Sequence, residues 1–240
     1  MGEPHVPQVP SSTIVRSLDA TMVLGSKIAT PFHLGLGRVS RFGKRSLDIL
    51  VASLALFLSL PLLLVIAVFV AMDGGPVLYS HRRIGTAGVP FGCLKFRTMI
   101  LDADQCLEEY LSYHPEACAE WARNQKLTFD PRVTAVGRFL RQSSFDELPQ
   151  LINVLKDEMS LVGPRPVTQS EMAHYGPVAA LYKSVRPGIT GLWQVSGRND
   201  VGYETRVKLD EHYVKNWSFG SDLLILFRTP TAVLSRRGAK

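Results

Sequence analysis

The sequence predicts a mainly helical α+β chain: a small globular domain with an N-terminal re-entrant membrane helix and amphipathic helices at the membrane interface. Three observations carry that expectation. Ile49–Met72 holds no charged residue and is bounded by Asp48 and Asp73; as a straight helix it would reach about 36 Å, enough for a bilayer core of about 30 Å. Beyond it, apolar residues recur at helical spacing in several stretches, while two short runs read as extended strands. The chain is also basic, with 27 Lys and Arg against 21 Asp and Glu, a balance that suits phosphates, nucleic acid or a lipid surface.

Residues 1–40 are expected to form a weakly ordered tail, since Met1–Ser12 is rich in proline and serine. No charged-then-apolar signal peptide is read at the start. The membrane helix is assigned to 41–73 and the folded domain to 74–240. Pro61 falls in the middle of the apolar run and predicts a break there, leaving two halves of about 18 Å, each too short to cross. Arg38, Arg41, Lys44 and Arg45 precede the run, and Arg82, Arg83, Lys95 and Arg97 follow it. Positive charge marks cytoplasmic flanks, so a hairpin entering and leaving one leaflet fits better than a span.

Val77–Arg83 and Phe91–Met99 read as two strands joined by Gly85-Thr-Ala-Gly88. Leu94 and Phe96 fall on one face of the second, Lys95 and Arg97 on the other. This is a cationic stripe for phosphate or a charge-protected edge strand. Residues 102–127 read as helical, broken at Pro115, with Leu107, Leu111 and Trp121 as core positions. Gln169–Val185 and Thr205–Trp217 also read as helices, the second packing Tyr213 and Trp217 one turn apart. Asp222–Arg237 joins bulky apolar residues to a basic end, which suits a helix at a lipid surface. Cys93, Cys106 and Cys118 form no C-x-x-C pair, so a reducing compartment is expected.

The chemistry centres on Gln142-Ser-Ser-Phe-Asp-Glu-Leu-Pro-Gln-Leu-Ile-Asn153. Leu148, Leu151, Ile152 and Leu155 define a helix whose first turn must contain Pro149, which puts Asp146 and Glu147 at its positive end. Arg132, Arg138, Arg141, Arg165, Arg186 and Arg198 surround the pair in sequence. Two carboxylates among cations suit phosphoryl transfer. Ser144-Phe-Asp-Glu147 is also a capping box, and locally capping is the commoner use. Arg165 lies between Pro164 and Pro166, which stiffen its backbone, and the Gly- and Arg-rich stretch 186–199 can present donors to a nucleotide or sugar. There is no P-loop, dinucleotide fingerprint or nucleic-acid recognition motif.

Taken together, Lys44-Arg-Ser-Leu-Asp48, Lys95-Phe-Arg-Thr-Met99, Asp130-Pro-Arg132, Asp146-Glu-Leu-Pro-Gln150, Val162-Gly-Pro-Arg-Pro166 and Arg186-Pro-Gly-Ile-Thr-Gly191 occur in order. This pattern, spanning about Lys44 to Leu234, resembles the bacterial sugar transferase family, the monotopic phosphoglycosyl transferases, and most of all its short members that start exopolysaccharide synthesis. The resemblance implies a small cytoplasmic catalytic domain on the bacterial inner membrane that moves galactose or glucose 1-phosphate from a UDP-sugar to undecaprenyl phosphate, releasing UMP. It implies Asp146 as the nucleophile of a covalent phosphosugar intermediate and Glu147, with Asp146, as the Mg²⁺ site. Lys95, Arg97, Arg141, Arg165 and Arg198 are then phosphate- or substrate-binding, and Pro61 the break of the membrane helix. One departure is visible: the family often has Ser-Pro at that break, whereas here Leu60 precedes Pro61 and the serine is Ser59. The extra membrane region of large members is not expected. Membrane lipid is a partner and nucleic acid is not; a homo-oligomer is compatible with this reading. The competing classes are a non-catalytic UDP-sugar-binding regulator and a membrane-tethered nucleic-acid binder, which UMP release and a salt-dependent DNA shift would separate.

Overall fold

Charge pairing at its two ends fastens a long apolar helix, α1 (Leu36–Ala71), to the rest of the chain. The computed structural model describes residues 36–124, 126–197 and 202–234. The chain divides into two compact units, Met1–Phe42 and Gly43–Lys240, and of the first only the opening turns of α1 are described. The expected tail over residues 1–35 and the basic end Arg236-Arg237 lie outside the described residues.

Helix α1 is long and apolar enough to cross a bilayer over Phe42–Ala71. Its apolar surface is largely uncovered, with Leu50, Leu54, Phe57, Leu58, Val65, Val68 and Phe69 all exposed. The helix runs through Pro61 without interruption. The expected break is therefore at most a bend: a proline removes one backbone bond, and the turns on either side carry the helix past it. Ser59 sits one turn on from Leu56 and donates its hydroxyl to the Leu56 carbonyl at 3.4 Å.

After α1 comes an antiparallel hairpin, β1 (Leu78–Ile84) with β2 (Pro90–Phe96), registered from Leu78 opposite Phe96 to Ile84 opposite Pro90. The connecting turn places Ala87 and Gly88 in the left-handed region. Two helices follow, α2 (Ala103–Tyr113) and α3 (Pro115–Asn124). Pro115 opens the second, where a missing N–H costs nothing. Leu107, Leu111 and Trp121 are half-buried rather than central, and Ala117 is the buried residue there.

Helix α4 (Ala135–Ser143) starts at Thr134, whose hydroxyl accepts from the Gly137 amide at 2.9 Å. Gly137 lies against the Thr98 backbone so closely that a Cβ would clash with the Thr98 carbonyl. The chain then turns into α5 (Gln150–Leu155) and β3 (Ser160–Val162). Gln169–Val185 is less regular than expected: a 3-10 stretch, Glu171–Val178, is kinked at Gly176 (φ 45°) and followed by a short α6 (Ala179–Tyr182). The Gly176-Pro177 pair explains it, because the glycine leaves the helical region and the proline brings no N–H to continue the ladder.

Strand β4 (Gly188–Thr190) pairs in parallel with β3, and α7 (Leu192–Val195), α8 (Tyr203–Lys215) and α9 (Phe219–Leu234) complete the order. Glycines make the β3–β4 joint possible: a Cβ on Gly188 or Gly191 would collide with the Gly163 backbone. Two of the sequence motifs, Val162–Pro166 and Arg186–Gly191, thus interlock through their main chains, and Gly163 donates to the Thr190 carbonyl at 2.9 Å. One core cluster joins Ile66 and Val70 of α1 to Phe96 and Leu140; a second gathers Ile84, Val167, Met172, Tyr175, Tyr182 and Val207.

Candidate active site

Ser144 adopts a left-handed backbone (φ 60°, ψ 18°) that ends α4 and turns the chain into a 3-10 turn, Phe145–Glu147. That turn, one step before α5, carries the two carboxylates. The capping box of the sequence does not form, since Ser144 makes no side-chain cap bond. Instead Glu147 faces Lys95 on β2, whose Nζ donates to Oε1 at 2.6 Å. The same ammonium lies 3.7 Å from Asp146 Oδ2.

Asn153, buried on α5, holds these two elements in register. It accepts from the Leu94 amide at 3.0 Å and donates to the Gly92 carbonyl at 2.7 Å and to Glu158 Oε2 at 2.6 Å. An asparagine thus binds to the edge of β2 as a neighbouring strand would, and Lys95 stays aligned with the dyad.

Asp146 is only 8 % exposed. Burial pushes its carboxyl up to about 6; Lys95 and Arg141 pull it down, and Glu147 adds to the rise. Burial opposes charge on Lys95 too, but Glu147 and Asp146 overcome it and raise the ammonium above its ordinary value. Arg141 donates from Nε to Thr98 Oγ1 at 2.9 Å, which steadies its guanidinium near Asp146. The result is a buried, partly protonatable carboxylate with two cations beside it. Such a group is a candidate nucleophile for phosphorus, with the cations placed to neutralise phosphate oxygens.

The other expected residues divide. Arg165 stands next to the Trp193 ring at 5.5 Å, where Arg206 also stacks at 5.0 Å. This second cationic patch includes Arg83, whose guanidinium donates to Glu171 at 2.7 Å. Arg97 is elsewhere: it donates to the Val70 carbonyl at 2.8 Å and to both carboxylate oxygens of Asp73, and so caps the C-terminal end of α1. Arg132 forms a two-point pair with Asp130, Arg186 binds Asp157, and Arg138 lies over Phe129. Arg198 lies outside the described residues. Tyr213 and Trp217 pack, as expected, and both donate to Asp222.

Two features were not singled out in the sequence, and a third, the Lys44–Asp48 motif, was quoted there without its partners. Arg206 gave no signal beyond its place on a predicted helix. Asp210, buried on α8, accepts from the Tyr175 hydroxyl at 2.7 Å, and burial pushes its carboxyl up to about 7. The root of α1 is the third. Lys44 donates to Asp222 at 2.6 Å and to the Val162 carbonyl at 2.9 Å, and Asp48 accepts from Ser160 Oγ and the Leu161 amide.

No group of three or more His, Cys, Asp or Glu suited to a metal occurs among the described residues. Asp146 and Glu147 offer two adjacent carboxylates, which fits the way Mg²⁺ is commonly held: by one or two carboxylates completed by water and substrate phosphates.

Comparison with known proteins bears on this arrangement. The description of bacterial sugar transferases matches residues 39–236. The chain is 51% identical over 222 residues to the exopolysaccharide production protein ExoY of Rhizobium meliloti, covering 92% of this chain and 98% of that protein. It is 51% identical over 202 residues to the undecaprenyl-phosphate galactose phosphotransferase of Salmonella typhimurium, covering 84% of this chain but 42% of that longer protein. A UDP-glucose:undecaprenyl-phosphate glucose-1-phosphate transferase of Caulobacter vibrioides is 40% identical over 206 residues, covering 82% of this chain and 71% of that protein.

Proposed function

The chain belongs to the bacterial sugar transferase family, and from that premise we propose that it moves a hexose 1-phosphate from a UDP-sugar to undecaprenyl phosphate, starting exopolysaccharide synthesis. The names of its relatives favour galactose or glucose as the hexose. The observation that carries the mechanism is the buried Asp146 held between Lys95 and Arg141.

An Asp146 carboxylate oxygen attacks the β-phosphorus of the UDP-sugar. The Asp146–phosphorus bond forms as the bond to the bridging oxygen breaks, and UMP leaves with that electron pair. A phosphate oxygen of the lipid then attacks the same phosphorus, the bond to Asp146 breaks, and the carboxylate is regenerated. Lys95 and Arg141, beside Asp146, would neutralise the negative charge that develops on the phosphoryl oxygens. Arg165 and Arg206 supply a second cationic patch for the departing nucleotide phosphate. Glu147, with Asp146, would hold Mg²⁺, which supplies charge neutralisation on the phosphate oxygens when bound.

Both ends of α1 contact the same domain: Lys44 and Asp48 at one end, Val70 and Asp73 at the other. A single folded domain lies on one side of a bilayer, so these contacts support a re-entrant α1 bent near Pro61. Basic residues at both flanks support placing that side in the cytoplasm of the inner membrane.

Purified protein given UDP-sugar without lipid acceptor should release one equivalent of UMP and leave a phosphosugar mass on the peptide bearing Asp146. UMP that appears only when undecaprenyl phosphate is added, with no trapped adduct, would replace this with direct transfer and Asp146 as general base.

A further inference from the structure

Helix α4 buries Leu140 and Val136 against Ile66, Val70 and Phe96, so it lies along the C-terminal half of α1. The residue before Leu140, Phe139, is left 59 % exposed. Its ring meets that of Phe145 edge-on at 6.2 Å. Phe145 itself packs on the α1 cluster and immediately precedes Asp146. On the same half of α1, Leu64, Val65, Val68 and Phe69 are exposed, as is Met72 just past its end. Neighbouring Arg138 lies over Phe129 rather than over Phe139. Phe145 thus links the exposed Phe139 ring to the cluster on α1 and precedes the nucleophile in the chain.

An exposed phenylalanine, packed on the residue that precedes a buried, cation-flanked carboxylate, suits a particular ligand chemistry: an anionic head on a long branched hydrocarbon. The head is drawn to Lys95 and Arg141, while the carbons next to it have to stay out of water. Aromatic faces provide that cover at little conformational cost. We propose that Phe139, with Phe145, is the landing surface for the isoprene units nearest the phosphate of the lipid acceptor, and that this contact sets acceptor specificity. The inference rests on the transfer reaction proposed above and adds the path by which the second substrate arrives.

The test uses the full chain in lipid nanodiscs with Phe139→Ser and Phe139→Leu. The first half-reaction involves no acceptor, so the burst of UMP from UDP-sugar alone should keep its wild-type amplitude in both variants. With undecaprenyl phosphate added, Phe139→Ser should raise the apparent KM for the acceptor about tenfold, the scale of losing one large apolar contact. Phe139→Leu, which keeps apolar bulk, should recover most of that loss. Partition of both variants into vesicles should match wild type, which separates a docking contact from a membrane anchor. An unchanged acceptor KM in Phe139→Ser overturns the inference and leaves the transfer reaction standing. Loss of the burst in Phe139→Ser, or loss of vesicle binding, also overturns it, by making Phe139 a support of the dyad or of insertion. If wild type gives no burst, the covalent reading falls, and acceptor KM alone then decides whether Phe139 meets the lipid.

Discussion

Asp48, Asp222 and Asp146 are all buried in one domain, yet their surroundings are built in opposite ways. Asp222, 1 % exposed, accepts from Lys44, the Tyr213 hydroxyl and the Trp217 indole. Asp48 accepts from Ser160 Oγ at 2.8 Å and the Leu161 amide at 3.0 Å. Asp146 has its own backbone amide and one ammonium at 3.7 Å, and that ammonium is closer to Glu147. Satisfied donors make the first two into fasteners between α1 and the domain, since a buried carboxylate is tolerable only when its oxygens are occupied. At Asp146 the donors stand back, the carboxyl is pushed up to about 6, and its lone pairs stay available for phosphorus. The same residue type thus holds the molecule together in one region and stores reactivity in the other.

Replacing Asp146 separates these roles most sharply. Asp146→Asn should abolish adduct formation and cut UMP release by roughly a thousandfold or more, the scale of removing a nucleophile. It should not destabilise the fold. The folded chain holds the Asp146 proton up to about 6, against an ordinary 3.8, so the folded state binds it more tightly than the unfolded state. Stability from this group is therefore greatest in acid and declines as pH rises from about 4 to 6. Asparagine has no such decline. In chelator, the variant should gain on wild type over that range, by on the order of 2 kcal/mol at neutral pH. Thermal unfolding of both proteins at pH 4 and pH 7 checks it; equal differences at the two pH values would place Asp146 with the fasteners.

Asp222→Ala should show the complementary pattern. It leaves Lys44 with the Val162 carbonyl alone and strips a partner from Tyr213 and Trp217. Breaking a buried pair of this kind costs about 3 kcal/mol, visible as an earlier denaturant midpoint. The adduct yield per folded molecule should stay near wild type at low temperature. A lost adduct in a still-folded variant would mean that the root of α1 and the dyad are one device, not two.

The dyad and Lys95 took their weight from the resemblance, whereas local pattern was enough to locate the apolar helix, the β1–β2 hairpin and the helix pair divided at Pro115. These depend on spacing within a few residues. The fasteners were not legible, because their partners lie far along the chain: Lys44 meets Asp222, and Asp48 meets Ser160 and Leu161. From sequence, Lys44 reads as a flanking charge and as the start of the Lys44–Asp48 motif, and neither names Asp222 as its partner. Arg97 alternates with Lys95 along the chain and suggested the same role, but it lies just past the end of β2, where the C-terminal end of α1 claims its guanidinium. The capping box matched its pattern and still failed to form, because Ser144 is needed in a left-handed conformation to turn Asp146 toward β2. The glycines of 186–191 suggested a ligand loop; what they permit is close backbone contact with Gly163.

Arg165 is the residue on which the division between the two regions can be tested most finely. It and Arg206 share the Trp193 ring, at 5.5 and 5.0 Å, two like charges brought together on one aromatic surface. A phosphate bound between them would relieve their repulsion, which the nearby carboxylates of Glu171 and Asp210 already offset in part. Arg165→Lys keeps the charge but loses the planar fork that both stacks on indole and binds phosphate at two points. Turnover with UDP-sugar should fall about tenfold, the scale of one charged hydrogen bond of about 1.5–3 kcal/mol, with little change in the unfolding midpoint. Trp193 should respond as well: UMP should alter its fluorescence in wild type and do so less in the variant. Unchanged turnover with a lower unfolding midpoint would move Arg165 to the structural side and leave Lys95 and Arg141 as the phosphate-facing cations.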